Sequence, residues 1–161
     1  MIVVSDTSPV ANLIQIDRLD LLHQLYHRIL VPPTVYQEIK VLETFGIDLA
    51  GFQAANWIEQ QIPARLDALA SLRADLDSGE LEAIALALET SADWILMDER
   101  AGTRVAEQRG LRPVGLLGVL IRAKNQGFID EVLPIVDELR TMAGFWVSDG
   151  LVIKLRRLVQ E

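Results

Sequence analysis

Apolar residues fall into two patterns along the chain. Short, almost wholly apolar runs occur at Ile2–Val4, Arg28–Val31 and Trp94–Met97. Such runs predict strands buried on both faces, as in a parallel sheet. Trp57 to Ile62 alternates instead and reads as an edge strand, and Arg112–Val114 reads as a further short strand. Helical spacing fills the intervals. Ser8-Pro9 reads as an N-cap followed by Pro at the first helical position, opening a helix through Ile14. Leu19, Leu22, Leu25 and Tyr26 make one stripe of a helix over 18–26. A helix over 34–42 has its first turn set by Pro33, and a short one is expected over 47–55. The pattern also predicts a helix over 64–76. Asp77-Ser78-Gly79 breaks the chain and caps an Ala- and Leu-rich helix over 80–89. Helices over 100–109 and 115–125 are closed by Gly110 and Gly127, and two more are expected over 130–142 and 149–159. Strands alternating with helices make an α/β fold, a parallel sheet with helices on both faces. No repeat, linker or low-complexity stretch interrupts it, so one domain over 1–161 is expected.

Composition narrows the function. The 161 residues contain no Cys, which excludes a disulfide scaffold, a thiolate metal site and a Cys nucleophile. No apolar run reaches the roughly 20 residues of a membrane span, and Asp6 comes too early for a signal peptide. A cytoplasmic protein with no membrane partner is expected. The net charge of −8 argues against binding nucleic acid by overall charge. Its distribution is uneven, however. Residues 1–99 hold 5 basic and 16 acidic side chains, whereas 100–161 hold 10 and 7. Arg100, Arg104, Arg109, Arg112, Arg122 and Lys124 oppose Glu107 alone within 100–124. An acidic part followed by a locally basic one suits a metal site beside a phosphate-receiving surface, although solvated charged faces look the same in sequence.

In open α/β sheets the functional crevice lies outside the carboxyl ends of the strands. Asp6 directly follows the first strand and Asp98 the Trp94–Met97 strand. Glu38 lies about a turn into the helix after Pro32-Pro33, and Glu80 lies in the first turn after Asp77-Ser78-Gly79. Carboxylates converging on one crevice repel one another unless a cation lies between them. With oxygen donors only, that cation is a hard one, Mg²⁺ or Mn²⁺. Such an ion beside a basic rim suits phosphodiester hydrolysis without a Ser, Cys or His nucleophile. Taken singly, each acid has a plainer reading. Asp6 would be an N-cap, Glu38 a solvated helix residue, Glu80 a favourable charge at a helix start, and Asp98 with Glu99 a cap for the next helix. Glu82 lies roughly opposite Glu80 on its helix, so both are not expected to face one site. His23 and His27 read as fillers, and Trp57, Trp94 and Trp146 as packing residues.

Four blocks together resemble a known family. They are Val3-Val4-Ser5-Asp6-Thr7-Ser8-Pro9, Val31 to Ile39, Leu76 to Ala87 and Ile95 to Arg100. In that order they look like a PIN domain, and more narrowly its VapC-like branch known as DUF3368, which Gly115 to Lys124 also resembles. The resemblance spans nearly the whole chain. It implies a three-layer α/β/α sandwich with a central parallel sheet, and metal-dependent ribonuclease activity. Carried over by position, the family acids fall on Asp6, Glu38, Glu80 and Asp98, with Glu82 the second choice for the third. Many relatives have Asp where Glu80 stands. Thr7 and Ser8 are expected near the metal's water shell. Relatives suggest a toxin that cleaves RNA, pairs with a small antitoxin and forms a homodimer. Charge alone nominates Arg100, Arg104 and Lys124 for contacts to the RNA backbone. The alternatives are a non-catalytic PIN-fold scaffold and a phosphotransferase of the dehalogenase type. The latter expects a second Asp two residues after the first, where this chain has Ser8.

Overall fold

A computed structural model of the chain describes residues 1–72 and 75–161. Its sheet has five parallel strands, β1 (Val3–Ser5), β2 (Ile29–Val31), β3 (Ile58–Gln60), β4 (Trp94–Leu96) and β5 (Pro113–Val114), in the order β3-β2-β1-β4-β5. Every residue of β1 and β2 is buried, the apolar pattern expected of strands covered on both faces. Val3 and Val4 point to opposite sides, and each joins a different core. One core combines Val3, Ile29, Val31 and Leu96 with helices α1 (Thr7–Gln15), α2 (Asp20–Tyr26), α7 (Leu116–Asn125), α8 (Leu133–Met142) and α9 (Asp149–Val159). Residues of α3 (Pro33–Lys40) and α4 (Ala50–Ala54) extend it. The other core combines Val4, Leu30, Ile95 and Met97 with α5 (Ser78–Glu89) and α6 (Arg100–Gln108). The architecture is therefore the three-layer α/β/α sandwich with a parallel sheet.

Both edges of the sheet are short. β3 has three residues and is followed by the exposed Ile62 and by Pro63, whereas β5 has two and begins with Pro113. From β1 the chain adds strands outward on one side, then returns to place β4 on the other. The reversal point thus lies between β1 and β4, where Val4 pairs with Ile95 and Ser5 with Leu96. Among the described residues, no helix is long and apolar enough to cross a membrane.

Several local expectations are corrected. Asp6, not Ser8, is the N-cap of α1, and Pro9 falls within the first turn. The expected helix over 64–76 is replaced by a 3-10 segment at Asp67–Leu72, and its Arg73-Ala74 portion lies outside the described residues. Trp146 is 82% exposed and packs into neither core. His23, expected to be a surface or core filler, is exposed and stacks on Trp57 with ring centroids 4.8 Å apart.

Lys124 also departs from expectation. It sits at the far end of α7 from Leu116, roughly 12 Å along the helix at 1.5 Å per residue. Its amine donates to the Val159 carbonyl at 2.6 Å and to Glu161 at 2.8 Å. It therefore fastens the end of α9. Glu161 accepts in addition from the backbone N–H groups of Val132 and Leu133, at 2.7 and 2.9 Å. Burial pushes its carboxyl up, but Lys124 and these two N–H groups together hold it below the ordinary glutamate range. Glu161→Ala would leave the Val132 and Leu133 N–H groups unpaired and Lys124 with the Val159 carbonyl alone, so urea denaturation should show a loss of about 1–3 kcal/mol. Because the folded-state pKa is lowered, the stabilisation is present above the ordinary glutamate pKa and is lost as pH falls through the folded value.

Candidate active site

Asp6 continues β1 at the reversal point, its N–H bonded to the Leu96 carbonyl at 2.9 Å. Ser5 donates its hydroxyl to the Asp6 carbonyl, in the next peptide, at 2.8 Å. Asp6 holds the N-cap position of α1, as its plain reading expects, but its side chain makes no capping hydrogen bond there. Instead it is buried, only 4% exposed. Glu80, in the first turn of α5, is 6% exposed. Among the described residues these are the two buried charged side chains, with no basic partner assigned to either. Burial is the main reason that both are pushed up to about 7. The Thr7 N–H tempers the rise at Asp6, and the charges of Asp77, Glu80 and Glu38 add to it. At Glu80 the charges of Asp77 and Glu99 act in the same direction.

Asp77 and Glu99 are residues that the sequence left out of the site. Asp77 caps α5, its Oδ1 accepting from the Glu80 N–H at 2.8 Å. Its carboxylate is nevertheless the first charge acting on both buried acids. The Asp-Ser-Gly capping signal was visible, but a cap and a site acid are the same residue type at the same helix start. Glu99 lies next to Asp98 and its charge reaches both Asp98 and Glu80.

Glu38 reaches the crevice from the second turn of α3. Its Oε2 accepts a short hydrogen bond from the Thr7 hydroxyl, which ties α3 to the start of α1. Gly79 makes room for it, since a Cβ there would lie 2.8 Å from Glu38 Oε1. Two other glycines play similar parts. A Cβ on Gly115 would lie 2.9 Å from Asp98 Oδ1, and one on Gly102 would lie 2.7 Å from Met97 Sδ and 3.5 Å from Glu80 Oε2. Glycine is used here for close approach rather than for a special φ.

Asp98 does not cap α6, contrary to its plain reading. Its Oδ1 accepts from the Leu116 N–H at 2.8 Å, so it holds the start of α7. Its Oδ2 is buried with no partner. Burial raises its carboxyl above the ordinary range, the Leu116 N–H lowers it and Glu99 raises it further. Glu82 points away from this group, and one of its oxygens is also buried and unpartnered. Ser8 Oγ accepts from Asn12 at 3.3 Å. Arg100 and Arg104 are exposed one turn apart on α6.

The four expected acids thus lie along one end of the sheet, but they are not drawn into a finished cage. Among the described residues, no group of three or more Asp, Glu or His side chains is close enough to grip an ion as it stands. Thr7 bonds the Glu38 carboxylate and the Leu116 N–H bonds that of Asp98. The residues still fit a hard divalent cation. The donors are all oxygen, two carboxylates are buried without a counter-charge, and Asp98 Oδ2 awaits a partner. No curated protein and no solved structure matches the chain. A family model described as DUF3368, a PIN domain, matches residues 2–161. With so complete a match, the chain belongs to the PIN-domain family.

Proposed function

We propose that this protein is a metal-dependent ribonuclease that hydrolyses RNA phosphodiester bonds, the toxin of a toxin–antitoxin pair. PIN domains are generally nucleases, which supplies the reaction class. The observation that carries the reading is the placement of Asp6 and Glu80, two buried carboxylates without counter-charge at the reversal point of the sheet. A fold tolerates such groups where a cation compensates them. Asp6, Glu38, Glu80 and Asp98 would hold Mg²⁺ or Mn²⁺, with Asp77 adding negative charge beside them. When bound, such an ion lowers the pKa of a water and stabilises negative charge on the phosphate.

The remaining side chains position and neutralise. Thr7 orients the Glu38 carboxylate by its hydrogen bond. Ser8, held by Asn12, adds a hydroxyl to the same rim. Arg100 and Arg104, free of ion pairs among the described residues, would meet the RNA backbone as phosphate contacts. A small antitoxin and a second copy of the chain are the partners proposed, by analogy with the VapC-like branch, and the cytoplasm is the proposed compartment.

The test is incubation of single-stranded RNA with the purified protein and Mn²⁺, with and without chelator. Cleavage that chelator abolishes, and growth arrest on expression that Asp98→Asn relieves, are the expected results. A wild-type protein that never cleaves RNA at any metal concentration would favour the scaffold reading instead. Gly79→Ala offers a finer check. The added methyl must displace the Glu38 carboxylate, while α5 gains up to about 1 kcal/mol of helix propensity. Cleavage should fall roughly tenfold, in line with lost support of a metal site. Thermal melting should show the fold retained.

A further inference from the structure

We propose that two copies of this chain pair by each seating Trp146 in a groove of the other, beside the end of α1. This contact gives a surface to the second copy proposed above and stands apart from the RNA chemistry.

Among the described residues, Trp146 is the most exposed large apolar side chain, at 82%. It does not hang on a loose segment. Phe145 before it is half-buried against the first core, and its N–H donates to the Leu139 carbonyl at 3.0 Å. Val147 after it is buried. With both neighbours fixed inward, the indole is held outward, as the aromatic anchor of an interface is.

The receptor is a groove of about 420 Å³ between α1, α4 and the end of α8. Ile14, Leu19, Ile47 and Phe52 give it apolar walls, and the exposed Asp17 and Asp48 lie along it. An indole brings a broad apolar ring and one N–H donor, and carboxylates are acceptors for that donor. Asp17 is kept there at a conformational cost. Its φ is 57° just after α1, where glycine commonly ends a helix. It joins no ion pair among the described residues, so its carboxylate is available to another chain.

Charge and position select a copy of the same chain as occupant. The helix that follows Trp146, α9, exposes Lys154, Arg156 and Arg157, none of them in an ion pair among the described residues. A chain that inserts Trp146 therefore carries a basic helix toward a groove edged by two acids. Met142 ends α8 and lines the groove, and Trp146 lies four residues on, at most roughly 14 Å away. Each molecule thus bears insert and receptor side by side, the condition for a two-fold contact that uses both twice. The exposed Met142 and Leu151, on either side of Trp146 in sequence, add apolar area to that surface.

The experiment is sedimentation equilibrium of the full chain over a concentration series, with circular dichroism to confirm each fold. Wild type is expected to dimerise at micromolar concentration. Trp146→Ala should raise the dissociation constant by at least about 30-fold, the effect of losing a central anchor. Gly51→Leu should do the same by filling the groove, since a Cβ there meets nothing within 4 Å in its own chain. Asp17→Asn, which tolerates the left-handed backbone, should weaken pairing severalfold. An equimolar mixture of the Trp146→Ala and Gly51→Leu chains should pair more tightly than either alone, because one intact indole then meets one intact groove. A monomeric wild type, a dimer indifferent to Trp146→Ala, or a mixture no better than its parts would overturn the proposal. A dimer lost with Trp146→Ala whose wild type cleaves no RNA defeats the ribonuclease reading alone, and a monomer that cleaves RNA defeats only the pairing.

Discussion

Asp6→Asn is expected to remove RNA cleavage by at least ~100-fold, while making the metal-free fold more stable at alkaline pH. The loss follows from deleting the most deeply buried of the proposed ligands, and it should exceed the 10–100-fold typical of a mere supporting partner. The gain follows from linkage. Burial is the main reason that Asp6 stands at about 7 rather than 3.8, so the folded protein binds a proton more tightly than the unfolded chain. Stability from this group is full at pH below about 4 and declines as pH rises toward 7, by roughly 4 kcal/mol for a shift of that size. Above 7 the loss is complete. Asparagine is neutral throughout, and its amide has the carboxylates of Glu80 and Glu38 nearby as acceptors. Urea denaturation in chelator should therefore show the variant close to wild type near pH 4–5 and more stable by about 1–3 kcal/mol at pH 8. If wild-type stability does not decline over this range, Asp6 is not an uncompensated buried acid.

Divalent metal should reverse that pH dependence. A cation that binds only the folded state stabilises it by about 2.7 kcal/mol at a hundred times its dissociation constant. For a domain of this size that corresponds to a rise of roughly 5–10 °C in melting temperature. The carboxylates must give up their protons to bind it, so the rise with Mn²⁺ should be large at pH 8 and small near pH 5. Calorimetry of wild type and of the Asp6→Asn and Asp98→Asn chains, with and without Mn²⁺, measures this without any substrate. An equal rise in all three chains would place the ion somewhere other than these acids.

The parts of the fold that showed plainly in the sequence were those where one physical demand governed each residue. Ile29-Leu30-Val31 had to be apolar on both faces because helices cover both, and no other element asks for that pattern. Asp6 and Asp98 stood out as candidates because each follows a buried strand, at the edge where the crevice of an open α/β sheet lies. Elsewhere two demands shared one residue. Asp77 satisfies the Glu80 N–H as a cap and also charges the crevice, and the first role hid the second. Lys124 looked like a phosphate contact because net charge carries no information about distance, whereas α7 places its amine at the carbonyl of Val159. The stretch over 64–76 has helical composition, yet it forms a 3-10 segment only at Asp67–Leu72; Leu69 within that segment and Leu76 beyond it join the second core. Trp146, exposed despite its size, shows that apolarity alone does not assign a residue to the interior.

The brevity of the two outer strands has a consequence for life at high concentration. An open β edge can recruit another chain through its unpaired backbone groups, the first step toward amyloid-like stacking. Three residues at β3 and two at β5, with Pro63 soon after one and Pro113 within the other, leave almost no length for a foreign strand to add. A parallel sheet of this kind folds slowly, and blunt margins protect its intermediates as well as the finished molecule from coagulating.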